Sequence, residues 1–319
     1  MNVDELTSQL NQNLSKLLSP VGYKNILNRA NNLSTFDVIN RILIEMQKSN
    51  AFEIRTEEDW ALKGRRVKKN ANIIYILLPK YSYRYKDRSS GEILTTLDLN
   101  SNELKKAIEY NIIEKVEILD DLFCIEMYDI RDTVGNTNTK YIVNKPKITI
   151  KNILSVFSEI TGATIEKCDE TYYSKSANTL FICNQSYQDI VSCISRYLST
   201  YYIDNRIDKL LNETFDMNID ELSDYDKQLL EDSISYSIST LFGVNINKSF
   251  DIVRHTSNDM LTTILNITDN VVFEIVQYLE FNTDSKVEDA ISNISRLRKS
   301  EALLNILEAN NILNKMKGA

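Results

Sequence analysis

The sequence predicts an α+β protein in two domains. Residues 1–140 read as a helical N-terminus with a small β-sheet domain, and residues 147–319 as a mostly α-helical domain. Three observations predict this. Apolar residues recur at helical spacing near both ends of the chain. Strand-type runs, continuous or alternating, lie mainly between residues 73 and 128. At 319 residues with 43% hydrophobic content, the chain is long enough for two cores.

The elements follow in order. Val3, Leu6, Leu10, Leu14, Leu17 and Leu18 share one helical face, and Ser19-Pro20 stops that helix because a residue before proline is driven out of the α region. A second helix is expected over 23–30. Ser34 or Thr35 is placed as the cap of a third, with Phe36, Ile39, Ile42, Leu43 and Met46 on one side. Glu57, Glu58 and Asp59 suit the positive end of a short helix over 57–62. Gly64 turns the chain, and 73–78 forms a buried strand. Tyr81, Tyr83 and Tyr85 alternate with Ser82, Arg84 and Lys86, which puts tyrosines on one face and basic groups on the other. A turn over 87–91, a helix over 101–110 and a strand over 122–128 follow. Residues 132–138 read as a polar loop containing Gly135, and the domain boundary is placed at 136–146. Beyond it come a helix over 150–160 and short strands at 164–168 and 179–183, joined through a turn near 174–178. Helices over 187–203, 226–242, 260–281 and 287–313 complete the chain.

Charge is distributed unevenly. The net charge is −8, which excludes a uniformly basic nucleic-acid coat. From residue 53 to residue 88, however, ten basic residues stand against five acidic ones. Local charge decides whether a polyanion can dock. The densest basic run, Lys63, Arg65, Arg66, Lys68 and Lys69, lies beside the single tryptophan, Trp60, and Lys80 and Arg84 extend it. Two readings stand. The run is a grip on a phosphate backbone with an aromatic for a base, or it is a solvated loop over a core tryptophan.

Other chemistry is sparse. Cys124, Cys168, Cys183 and Cys193 form no C-x-x-C pair, and Cys183 and Cys193 read as reduced core thiols. His255 is the only histidine, too few for a two-histidine zinc site. The acidic group Asp216, Asp220, Glu221, Asp224, Asp226, Glu231 and Asp232 lacks the spacing of a calcium loop and reads as a cap and a solvated face. No glycine-rich phosphate loop is present, so no nucleotide or other cofactor is expected. The N-terminus is polar and amphipathic and no apolar run reaches membrane length, so the expectation is a cytoplasmic protein with no membrane partner.

The stretch 56–79 resembles the N-terminal domain of the ArdC/LtrC-type antirestriction family. The resemblance rests on Trp60, on Leu62, Lys63, Gly64 and Arg65, on Val67, Lys68 and Lys69, and on the strand from Ile73 to Pro79. A second motif, from Phe123 to Thr133, follows in the family's order; Asn70 and Ile73 replace glycines of the family's turn. The resemblance implies single-stranded DNA binding, with Lys63, Arg65, Arg66, Lys68 and Lys69 on phosphates and Trp60 or a tyrosine stacked on a base. It also implies that the second half is a zincin-like fold. At the metal-site positions stand Ser195, Arg196 and Ser199, with Asp232 on the later helix, where histidines and a general-base glutamate would be needed. The implied second half is therefore a pseudopeptidase, not an enzyme. The rival reading is a protein-interaction module whose acidic half docks on, or mimics DNA to, a host restriction or defence protein.

Overall fold

The structure, a computed structural model, describes residues 1–30, 33, 36–94, 101–135, 148–183, 186–215 and 217–281. Three helices open the chain: α1 (Val3–Leu17), α2 (Pro20–Ala30) and α3 (Val38–Gln47). Asn2 and Glu5 close a capping box on α1. Pro20 takes the first position of α2, where its missing N–H leaves no bond unmade. The cap of α3 is Asp37, whose carboxylate accepts from the Asn40 N–H at 2.8 Å. The helix therefore starts after Phe36, and residues 34 and 35, expected to supply the cap, lie outside the described residues.

The first sheet is dominated by a long two-stranded ribbon. The elements are β1 (Ile54–Arg55), α4 (Glu57–Leu62), β2 (Arg65–Val67), β3 (Ile74–Asp87), β4 (Ile93–Leu94), α5 (Ser101–Glu109), β5 (Ile113–Asp129) and β6 (Thr133–Gly135). Sheet order is β1-β5-β3-β4, all antiparallel. The runs at 73–78 and 81–86 are one strand of 14 residues, and 122–128 is the end of another of 17. A register shift between Lys80 and Tyr81 separates the halves of the ribbon. The segment expected as a loop at 132–138 instead supplies β6, paired with β2. Three residues are too few for alternation to reveal, so the pairing alone makes this strand.

Side chains of α3 finish the open edge of β3. The Asn40 amide accepts from the Leu77 N–H at 2.8 Å and donates to the Leu77 carbonyl at 2.7 Å. Gln47 treats Tyr75 in the same way, at 2.9 and 2.7 Å. Alternate residues of an antiparallel strand send their N–H groups the same way, so the missing N–H of Pro79 falls on this outer edge, away from the β5 ladder.

The second half contains α6 (Ile150–Thr161), β7 (Thr164–Lys167), β8 (Tyr172–Ser174), β9 (Thr179–Ile182), α7 (Tyr187–Asn205), α8 (Ile207–Phe215), α9 (Asp224–Leu241) and α10 (Asn258–Phe281). The small sheet runs β7-β9-β8, with β7 parallel and β8 antiparallel to β9. Neither β8 nor α8 was expected. The expected boundary at 136–146 and the expected helix at 287–313 lie outside the described residues.

One apolar cluster joins Leu6, Tyr23 and Ile42 of the opening helices to Ile194, Leu198, Ile234 and Leu265. Polar ties cross the same seam. The Tyr23 and Ser233 hydroxyls lie 2.8 Å apart, Tyr236 donates to Asn28 at 2.6 Å, and Arg41 pairs with Asp269. Desolvation holds the Asp269 carboxyl above its ordinary range, against the pull of Arg41. A smaller cluster, including Ile44, Ile54, Ile74, Ile76 and Met127, lies under the ribbon's base. Among the described residues, no helix is long and apolar enough to cross a membrane.

Candidate nucleic-acid interface

The basic run sits on a small anchored unit, here called the hairpin: α4, the Gly64 turn and β2, which pairs with the distant strand β6. Thr56 caps α4 by accepting from the Asp59 N–H, and the helix turns Trp60 inward. Trp60 is 0% exposed, and its indole N–H donates to the Tyr128 carbonyl at 2.8 Å. The Arg55 and Arg65 guanidiniums lie 5.8 and 6.0 Å from its ring centre. Trp60 therefore has no face open to a base. It is the anchor of the turn, and the expectation that it stacks on DNA is corrected by its burial.

Past the helix, Gly64 takes φ +69°, which an L side chain rarely adopts, and delivers the chain into β2. β2 lies tight against β6: a Cβ on Gly135 would come within 2.6 Å of the Gly64 carbonyl oxygen and 2.9 Å of the Arg65 Cα. The Arg65 side chain is tied back, donating to the Thr133 hydroxyl at 2.7 Å. Lys68 donates to the Arg131 carbonyl at 2.6 Å, and Lys63 lies 4.0 Å from Glu53.

Two cations of the run remain. Arg66 and Lys69 are exposed, and neither side chain has a hydrogen-bond or ion-pair partner among the described residues. Arg65 and Arg66 line an open groove of about 520 Å³ between α4 and the β2–β6 pair, with Glu57, Ala61, Gly64, Val134 and Gly135. The eight sequence candidates thus separate. Trp60, Lys63, Arg65, Arg66, Lys68 and Lys69 come together. Lys80 and Arg84 are on β3, about 20 Å and about 33 Å beyond Ile74 at the usual strand rise, and do not join the hairpin. Arg131, Thr133 and Gly135 were missed, because they reach the run through contacts with residues 63 to 70 positions earlier in the chain.

The four positions at which the family resemblance implies a lost metal motif are on α7 and α9. Ser195 and Ser199 are fully buried, and Ser199 donates to the Glu231 carbonyl at 2.7 Å. Arg196 is exposed, with its guanidinium 5.4 Å from the Tyr197 ring centre. Asp232 pairs with Lys248. Serine hydroxyls and an ion-paired aspartate do not supply the neutral imidazoles of a catalytic zinc site, so the donor set does not fit that metal. Among the described residues, no three His, Cys, Asp or Glu side chains gather as a metal site. His255 stacks on Tyr225 at 4.7 Å; of the acidic group, Asp226 closes a capping box with Ser223 and Glu221 accepts from the Asn218 N–H, while Asp216 lies outside the described residues. Cys183 and Cys193 are half-buried, and burial raises the Cys193 thiol.

No protein-family profile and no curated protein matches the chain. Two solved structures of the antirestriction protein ArdC from plasmid R388 are similar in fold. The Mn(II)-bound form is 10% identical, with a TM-score of 0.42, over 81% of this chain and 97% of that one. The metal-free form is 12% identical, with a TM-score of 0.44, over 77% of this chain and 86% of that one.

Proposed function

We propose that this is an antirestriction-type protein that binds single-stranded DNA without sequence preference through the α4–β2–β6 hairpin. The observation that carries the reading is the pair Arg66 and Lys69, exposed and unpartnered among the described residues, on a turn held rigid by Trp60 and Gly135. Free cations carried on an anchored turn beside an open groove can take phosphates. The motifs around Trp60 that resemble the antirestriction family support the same reading. The test is anisotropy of a labelled single-stranded oligonucleotide at low salt. Wild type is expected to bind thymidylate and mixed sequences alike, and the Arg66→Glu, Lys69→Glu double variant to lose binding of both. Equal binding by the variant would refute the assignment.

The second half is read as a zincin-like frame without its metal chemistry. Ser195 and Ser199 support this, since both are fully buried and Ser199 is bonded to the Glu231 carbonyl of α9, where ligands would need an open position. The expected outcome of metal analysis on purified protein is no stoichiometric zinc. One zinc per chain, lost on Ser199→Ala, would overturn the reading. A host restriction or defence protein is the second partner class the antirestriction reading entails.

A further inference from the structure

We infer that Cys168 and Cys183 are a peroxide-sensitive dithiol, a modification site at which oxidation closes a reversible disulfide between the ends of β7 and β9. The site shares no residue with the hairpin and is independent of the DNA reading.

β7 and β9 run parallel, in register from Thr164 opposite Thr179 to Lys167 opposite Ile182. In a parallel ladder a donating residue bonds the carbonyl just before its partner. Thr164 donates in this way to Asn178 at 3.0 Å, and Cys168 repeats the bond four residues on, to Ile182 at 2.9 Å. Cys168 therefore stands opposite Cys183, one step beyond the last paired residues. Side chains alternate along a strand, so the two cysteines share a face with Thr164 and Thr179. The hydroxyls of that threonine pair lie 2.8 Å apart across the ladder, which shows that side chains at this kind of position meet. Neighbouring strands lie about 4.8 Å apart, inside the roughly 4.4–6.8 Å between Cα atoms that a disulfide spans.

The two thiols differ in access. Cys168 is exposed and Cys183 half-buried. The Thr171 hydroxyl accepts from the Cys183 N–H at 3.1 Å and donates to the Cys183 Sγ at 3.3 Å, so this sulfur is held in place. Cys193, on α7, directs its thiol at the Thr171 carbonyl, 3.9 Å away, and belongs to no strand of the ladder. Cys124 is on β5, in the other sheet.

The exposed Cys168 meets the oxidant first. Its thiolate attacks one oxygen of a peroxide, the O–O bond breaks, and the other oxygen leaves as water, which makes a sulfenic acid. The Cys183 sulfur then attacks the Cys168 Sγ. The S–S bond forms, the S–O bond breaks, and the hydroxyl departs with the Cys183 proton as a second water. Two thiols have lost two electrons and two protons to the peroxide. A dithiol reductant reverses the step by exchange.

The test treats the full chain with hydrogen peroxide, blocks the remaining thiols, and digests with trypsin and chymotrypsin without reductant. Cleavage after Lys175 parts Cys168 from Cys183, and cleavage after Tyr187 parts Cys183 from Cys193, so the linked pair is read directly in the wild type. The thiol count is expected to fall from four to two, with one cross-linked pair of peptides carrying Cys168 and Cys183, and dithiothreitol should restore all four. Cys193→Ser is expected to form the same link, and Cys168→Ser to form none. Survival of all four thiols, oxidation of Cys168 that stops at the sulfenic or sulfinic acid, or a link from Cys183 to Cys193 or between two chains would overturn the inference.

Discussion

A methyl group on Gly135 would drive into the Gly64 carbonyl and the Arg65 backbone at distances that real carbon atoms do not tolerate. Both neighbours are main chain, so the clash cannot be relieved by a side-chain rotation. Gly135→Ala is therefore expected to push β6 from β2 and destabilise the protein by about 1–3 kcal/mol. Trypsin should then cut faster at Arg65, Arg66, Lys68 and Lys69. Unchanged cleavage there, with an unchanged urea midpoint, would show that the hairpin does not depend on this contact. The sequence marks Gly135 only as a loop glycine, because its constraint comes from a strand far away in the chain. Trp60 illustrates the same limit. An indole next to five cations reads equally as a stacking surface or as an anchor. Only the Tyr128 carbonyl at 2.8 Å and full burial separate the two.

At the scale of elements, periodicity carried most of the helices. α1, α4, α6, α7, α9 and α10 lie where apolar spacing and end signals place them. The strands were less legible. β3 runs through Pro79, which reads as a break, because the residue's missing N–H falls on an edge finished by α3. That edge is an element-scale device. The amides of Asn40 and Gln47 occupy the N–H and C=O groups of Leu77 and Tyr75 that would otherwise recruit a foreign strand. Asn40→Ala leaves the Leu77 groups buried without partners. The expected loss is about 1–3 kcal/mol, with faster amide exchange at Leu77. Protection of Leu77 at the wild-type level would contradict this account of the edge. Nothing in the sequence distinguishes Asn40 from a polar residue on a solvent face, since the strand it satisfies begins more than thirty residues later.

Across the whole molecule, the charge is divided between two jobs. The net charge of −8 keeps most of the surface acidic, and many of those carboxylates are engaged in caps and ion pairs. On the hairpin the side chains of two neighbouring cations, Arg66 and Lys69, stand free among the described residues. The opening helices pack on α9 and α10 through Tyr23, Asn28 and Arg41, so the frame behind the hairpin extends into the second half. This much of the site was readable in advance as a local excess of positive charge. What could not be read is which cations are tied down. Arg65, Lys68 and Lys63 look like Arg66 and Lys69 in a sequence and differ only in their partners.

The most direct test of the DNA reading is the salt dependence of single-strand binding. The logarithm of the affinity of wild type should fall linearly with the logarithm of salt concentration, by about 0.7 for each phosphate neutralised. Replacing Arg66 and Lys69 by alanine should make that slope shallower by about 1.4, two contacts' worth. A slope identical in wild type and variant, or no binding by wild type at low salt, would contradict the placement of function in this hairpin.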